Sequence, residues 1–77
     1  MEEIIKEKLL ERYSKVKINV YYEDIRIYKI KATLSINFEE CKIEFLYKYD
    51  NYLTEESNIN LIENELNKRI IKYCMEE

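Results

Sequence analysis

The strongest constraint in this sequence is the strict alternation of apolar and polar residues over positions 28–38. The apolar positions are Tyr28, Ile30, Ala32, Leu34, Ile36 and Phe38, and the positions between them carry Lys29, Lys31, Thr33, Ser35 and Asn37. Because successive side chains of a β-strand point to opposite faces of a sheet, this pattern predicts a strand with one buried face. Ile25 and Ile27 have the opposite phase, which predicts a β-bulge or a wide turn near residues 26–28.

The same alternation predicts a second strand before this segment and a third after it. The inward positions are Val16, Ile18, Val20 and Tyr22 in the first strand, and Cys41, Ile43, Phe45, Tyr47 and Tyr49 in the last. The acidic pairs Glu23-Asp24 and Glu39-Glu40 separate the strands and are predicted to form the turns. Because short turns join neighbouring strands in antiparallel fashion, we predict a three-stranded antiparallel meander.

Apolar residues at helical spacing mark both ends of the chain. Ile5, Leu9 and Tyr13 recur at every fourth position and predict a helix over residues 2–14. Thr54 followed by two glutamates is typical of a helix start, and the apolar stripe then continues through Ile59, Ile62, Leu66, Ile70 and Tyr73. We therefore predict one α+β domain over residues 1–77, in the order α-β-β-β-α, with both helices packed on the apolar face of the sheet.

The composition argues against a catalytic or metal-binding protein. The sequence contains no histidine and no glycine, so it lacks the commonest near-neutral acid–base catalyst and metal ligand and has no glycine-rich phosphate-binding loop. Its neighbouring carboxylates are expected in exposed turns or at a helix start, not in a cleft that would perturb their pKa. We therefore predict no enzymatic activity, no catalytic residues, no metal and no cofactor.

The chain is predicted to be cytoplasmic. No apolar run approaches the ~20 residues of a membrane helix, and the Met-Glu-Glu start is acidic where a signal peptide is basic. We therefore expect no membrane partner. Cys41 and Cys74 are expected to be buried thiols, because disulfides are rare in the cytoplasm. A disulfide between them would require the third strand to pack against the end of the second helix.

If both helices cover one face of the sheet, the opposite face is left uncovered, and we call it the open sheet face. The alternation assigns it five lysines and one acid, Glu44, in a chain of net charge −3. Such a face could meet an acidic protein or a phosphate backbone, although lysines also keep an uncovered sheet in solution. The candidate binding residues are Lys17, Tyr21, Lys29, Lys31, Lys42, Leu46 and Lys48.

The second helix carries more apolar residues than one packed face can hold. Leu61, Ile71 and Met75 lie off the main stripe and predict a dimer or partner interface, unless the first helix covers them. The tyrosines also divide into two groups. Tyr22, Tyr28, Tyr47, Tyr49 and Tyr73 take inward positions, whereas Tyr21 and Tyr52 are expected to be exposed and are candidate aromatic anchors for a partner.

The order helix, three strands, helix resembles the double-stranded-RNA-binding domain in topology over nearly the whole chain. That family binds RNA through its first helix, a Gly-Pro turn between strands 1 and 2, and lysines at the start of its last helix. Here the corresponding segments are Tyr22-Glu23-Asp24-Ile25 and Thr54-Glu55-Glu56-Ser57, which place acids where phosphate would bind. No RNA-binding residue of that family carries over to this sequence.

In size, acidity and compact layout the chain also resembles the small inhibitors that phages and mobile elements use against bacterial defences, anti-CRISPR proteins in particular. The resemblance implies stoichiometric binding to a nuclease or its effector complex, with acids imitating nucleic-acid charge. The residues that could do so are Glu23, Asp24, Glu39, Glu40, Glu55 and Glu56. We therefore predict a protein-binding module. A nucleic-acid-binding accessory protein and a small dimeric structural subunit are the alternatives.

Overall fold

The computed structural model describes residues 1–75 and has the predicted α-β-β-β-α order. Helix α1 spans Glu2–Arg12, and the strands β1, β2 and β3 span Lys17–Asp24, Ile27–Ile36 and Glu39–Lys48. Helix α2 spans Glu55–Met75. The strands form one antiparallel sheet in the order β1-β2-β3. The predicted fold class is confirmed, and α1 ends slightly earlier than the predicted residue 14.

One face of the sheet and both helices enclose a single hydrophobic core. Its centre consists of side chains that are at most 1% exposed, namely Ile5, Leu9, Ile30, Ala32, Cys41, Ile59, Ile62 and Leu66. Because they come from both helices and from the inward positions of β2 and β3, both helices must lie on the same side of the sheet. Removing this apolar surface from water stabilises the fold by about 25 cal/mol per Å².

Asn58, in the first turn of α2, is a polar side chain that is fully buried. Its Oδ1 accepts hydrogen bonds from the Tyr47 hydroxyl at 2.6 Å and from the Asp50 backbone N–H at 2.9 Å. Its Nδ2 donates to the backbone carbonyls of Asp50 at 2.9 Å and Thr54 at 3.0 Å. These four bonds satisfy the buried amide and connect the end of β3 to the first turn of α2.

Helix α2 begins as predicted. The Thr54 hydroxyl accepts a hydrogen bond from the backbone N–H of Ser57 at 3.0 Å, which caps one of the unpaired amides of the first turn. Glu55 and Glu56 lie in that turn, where the helix dipole favours negative charge.

The first hairpin reverses later than predicted. Glu23 and Asp24 belong to the end of β1, and the turn consists of Ile25 and Arg26, with a positive φ of 59° at Arg26. The register of β1 against β2 shifts between Tyr22, which pairs with Tyr28, and Asp24, which pairs with Ile27. The predicted irregularity is therefore present opposite residues 27 and 28, with the extra residue on β1. The prediction of an acidic turn was wrong because an exposed acid can also continue a strand on its solvent side.

The second hairpin reverses earlier than predicted. Its turn is Asn37-Phe38, with φ values of 52° and 68°, and Glu39 and Glu40 already belong to β3. Phe38 was predicted to continue the inward phase of β2 but is fully exposed. The prediction was wrong because apolar character alone does not show where a strand ends. Two positive φ values in a two-residue loop match the twist of the flanking strands.

Two further side chains predicted to be inward are exposed. Tyr22 is 53% exposed because it lies near the end of the sheet, where its ring meets that of Tyr28 edge to face at 5.9 Å. Cys74 is exposed near the end of α2, whereas Cys41 is buried as predicted. No disulfide joins the two cysteines.

Candidate protein-binding face

The face of the sheet opposite the helices is uncovered, as the alternation predicted. Across its middle, the register pairs Tyr21 with Lys29 and Lys29 with Leu46, so the three residues form one row over all three strands. Tyr21 is 46% exposed and Leu46 is 62% exposed. The row therefore presents an aromatic and an aliphatic side chain to solvent on either side of a lysine.

Three of the five lysines on this face are engaged in ion pairs. The acids concerned include Glu23 and Glu40, which the sequence placed in turns and the structure places at strand ends beside the lysines. The Nζ–Oε1 distances are 3.0 Å for Lys29–Glu23, 3.4 Å for Lys31–Glu44 and 3.6 Å for Lys42–Glu40. Five lysines thus face three carboxylates, and the expectation of five lysines against one acid was wrong.

Two of these lysines are held in place beside Tyr21. A side-chain hydrogen bond to Glu23, reinforced by its charge, raises the pKa of Lys29 above its usual value. The Lys31 Nζ lies 5.6 Å from the centroid of the Tyr21 ring, a cation–π contact. Side chains that are ordered before binding lose less conformational entropy when a partner docks.

Lys17 and Lys48 lie at opposite ends of the open sheet face. Lys17 is paired in register with Thr33, and Lys48 with Ile27. Neither forms an ion pair with another of residues 1–75. The unpaired positive charge is therefore at the margin of the face, and the centre is close to neutral.

The acidic pairs that could imitate nucleic acid do not form one surface. The Glu23-Asp24 and Glu39-Glu40 pairs lie at opposite ends of β2, roughly 30 Å apart at about 3.3 Å per residue. The Glu55-Glu56 pair begins α2 near the first of these ends. No partner surface smaller than the whole sheet could contact all three pairs.

Some of these acids already have partners within the chain. Asp24 Oδ1 accepts a hydrogen bond from the backbone N–H of Ile25 at 2.7 Å and so stabilises the first turn. Glu56 Oε1 lies 2.6 Å from an Arg12 guanidinium nitrogen. These contacts give Asp24 and Glu56 structural roles that the sequence did not indicate.

Arg12 is a connecting residue that the sequence reasoning missed. Besides Glu56, its guanidinium contacts Asn60 Oδ1 at 2.6 Å and Glu63 Oε2 at 3.1 Å. It therefore ties the last turn of α1 to three residues of α2. No sequence signal could have identified it, because its partners lie more than forty positions away.

The candidate dimer residues on α2 are exposed, and α1 does not cover them. Leu61 is 46% exposed, Ile71 is 58% exposed and Met75 is 80% exposed. Ile71 and Met75 are one turn apart, whereas Leu61 lies about three turns before Ile71. They line the solvent side of α2 as separate apolar positions and do not form one compact patch. Tyr52 is also almost fully exposed, as predicted.

The described residues 1–75 contain no group of acidic, cysteine or histidine side chains arranged to hold a metal ion. In the same range, neither helix has both the length and the apolar composition that crossing a bilayer requires. Comparison with protein-family models, with curated proteins and with solved structures gives no match.

Proposed function

We propose that this protein is a non-catalytic, cytoplasmic protein-binding module whose partner docks on the open sheet face. The row formed by Tyr21, Lys29 and Leu46 is the observation that supports this most strongly. Because the core lies on the other side of the sheet, neither Tyr21 nor Leu46 is needed to close it. An exposed tyrosine beside an exposed leucine, surrounded by charged side chains, has the composition of a protein-binding centre and its rim.

The charge of the face favours a protein over a nucleic acid. Binding to a phosphate backbone relies on lysines that exchange their counterions for phosphates. Lys29, Lys31 and Lys42 instead have carboxylates within 3.6 Å, and the chain as a whole carries a net charge of −3. A partner with mixed charges could exchange ion pairs with this face at little electrostatic cost.

In its narrower form, the proposal identifies the partner as a bacterial defence complex, for example a CRISPR nuclease. The protein would then act as a phage or mobile-element inhibitor that occludes a working surface of that complex. The small size, the net negative charge and the compact layout support this form. Because the acidic pairs are dispersed, we place the occluding contact on the open sheet face.

The proposal is tested by capture from a bacterial lysate with the immobilised protein. The double variant Tyr21→Ala, Leu46→Asp is expected to lose the captured protein, because it removes both apolar side chains of the row. The matched control Ile71→Asp changes an equally exposed apolar residue on α2 and should retain it. Circular dichroism of all three proteins checks that the fold is intact.

Two results would contradict the proposal. One is a captured protein that binds the double variant as strongly as the unaltered chain. The other is a captured species that disappears on nuclease treatment and loses about a thousandfold in affinity between 50 and 200 mM salt, which is the behaviour of a nucleic-acid ligand.

A further inference from the structure

The two edges of the sheet are unequally protected. The β1 edge is eight residues long and carries a bulge between Tyr22 and Asp24. The β3 edge is ten residues long and pairs with β2 without any register shift. No other strand among residues 1–75 pairs with the outer side of β3. A long, regular edge presents a row of unpaired backbone N–H and C=O groups, whereas a short edge with a bulge is protected. Of the two edges, β3 is therefore the one better able to accept another strand.

A groove runs between the β3 edge and α2. Ile43 and Tyr73 provide its apolar part. The Ile43 side chain is 7% exposed, and Tyr73 is partly buried against the core. Its full lining is Lys42, Ile43, Glu44, Arg69, Lys72 and Tyr73. An extended chain lying along β3 would therefore have a sheet edge on one side and a helix on the other.

The lining of the groove carries three cations, two of which are already ion-paired. Lys42 lies 3.6 Å from Glu40 and Arg69 lies 3.2 Å from Glu65, whereas Lys72 forms no ion pair with another of residues 1–75. The Arg69 guanidinium also lies 5.1 Å from the centroid of the Phe45 ring. Lys72 therefore favours an occupant that places a carboxylate beside it.

We propose that an extended acidic peptide segment of a partner protein binds in this groove and adds a fourth strand to the sheet beside β3. Backbone N–H and C=O groups on the outer side of β3 supply hydrogen bonds to the peptide backbone. Every second side chain of the peptide packs against Ile43 and Tyr73, and Lys72 selects a carboxylate. The site shares Lys42 and Glu44 with the margin of the open sheet face, but it uses the β3 edge and does not depend on the function of that face.

The position of α2 explains why a peptide fits this edge better than a second copy of the chain. Helix α2 packs over β3. If two β3 strands paired, they would lie about 4.8 Å apart, and two α2 helices, each about 10 Å across, would compete for the space above them. An extended peptide brings no helix with it.

The probe for this site is a phage-displayed library of random twelve-residue peptides, selected on the immobilised full chain. Enriched peptides should alternate apolar and acidic residues. A synthetic copy of an enriched peptide should slow amide hydrogen exchange in Glu39–Lys48. N-methylation of the peptide backbone at alternate positions should abolish binding, because it removes the N–H groups that pair with β3. Lys72→Glu should weaken binding at least tenfold, whereas Lys15→Glu, the same charge change in an exposed loop outside the groove, should not alter it.

Several outcomes would overturn the inference. They are enrichment of basic or random peptides, equal binding to the Lys72→Glu variant, and unimpaired binding of the N-methylated peptide. A dimer of the free protein with exchange-protected β3 amides would show that a second copy occupies the edge instead. Tyr21→Ala alone serves to distinguish the two sites. Tyr21 lies on β1, at the opposite edge of the sheet from the groove, so the variant should leave peptide binding intact whatever it does to capture from lysate.

Discussion

At position 58, one side chain completes the hydrogen bonding of the chain segment that joins β3 to α2. The amide of Asn58 replaces water for the Tyr47 hydroxyl and for both backbone groups of Asp50. A buried polar group that loses its partner costs more than the bond itself contributes. This role could not be predicted from the sequence, because asparagine also occurs at positions 60, 64 and 67 of the same helix.

We expect Asn58→Ala to lower the free energy of unfolding by about 2–3 kcal/mol, because it leaves the Tyr47 hydroxyl and the Asp50 N–H without their acceptor. Asn64→Ala is the matched control, since Asn64 is exposed on the same helix, and it should change stability by less than about 0.5 kcal/mol. Urea unfolding followed by circular dichroism measures both. Equal losses in the two variants would show that the buried amide has no special role.

At the scale of elements, the second hairpin turn contains one residue, Phe38, that does not favour its backbone conformation, whereas Asn37 does. Phe38 has a φ of 68°, a left-handed conformation that costs a non-glycine residue about 1–2 kcal/mol. Its side chain is fully exposed and contributes no burial in return. Asn-Gly is the preferred pair for such a loop.

Phe38→Gly is therefore predicted to stabilise the protein by about 0.5–1 kcal/mol, after allowance for the larger entropy of glycine in the unfolded chain. Phe38→Ala keeps the backbone penalty and should leave stability nearly unchanged. Thermal and urea unfolding of the two variants compare them directly. A destabilised Phe38→Gly variant would mean that the phenyl ring has a packing role.

The helices and strands could be predicted from the sequence, because side-chain periodicity is a local property. The turns could not, for a physical reason that differs between the two hairpins. Glu23 continues β1 because its side chain reaches Lys29 on the solvent side, and an acid on that side fits a strand as well as a turn. Phe38 fits the inward phase of β2, but the chain has already reversed there.

For the whole molecule, the placement of both helices on one side followed from the single apolar face of the sheet. The charge of the open sheet face could not be predicted in the same way, because it depends on which residues the register places opposite each other. Register brings Lys31 opposite Glu44, and the strand ends bring Glu23 and Glu40 beside lysines. A count of residues by phase therefore overestimated how basic the open sheet face is.

The central claim is that one face of the sheet is buried and the other is free for a partner, and neighbouring residues of β3 test it most directly. Phe45 is 6% exposed and Leu46 is 62% exposed, on opposite faces of the same strand. In urea unfolding, Phe45→Ala should cost about 3–5 kcal/mol or unfold the protein, and Leu46→Ala should cost less than about 0.5 kcal/mol. Similar losses in the two variants would contradict the account, because the open sheet face would then belong to the core.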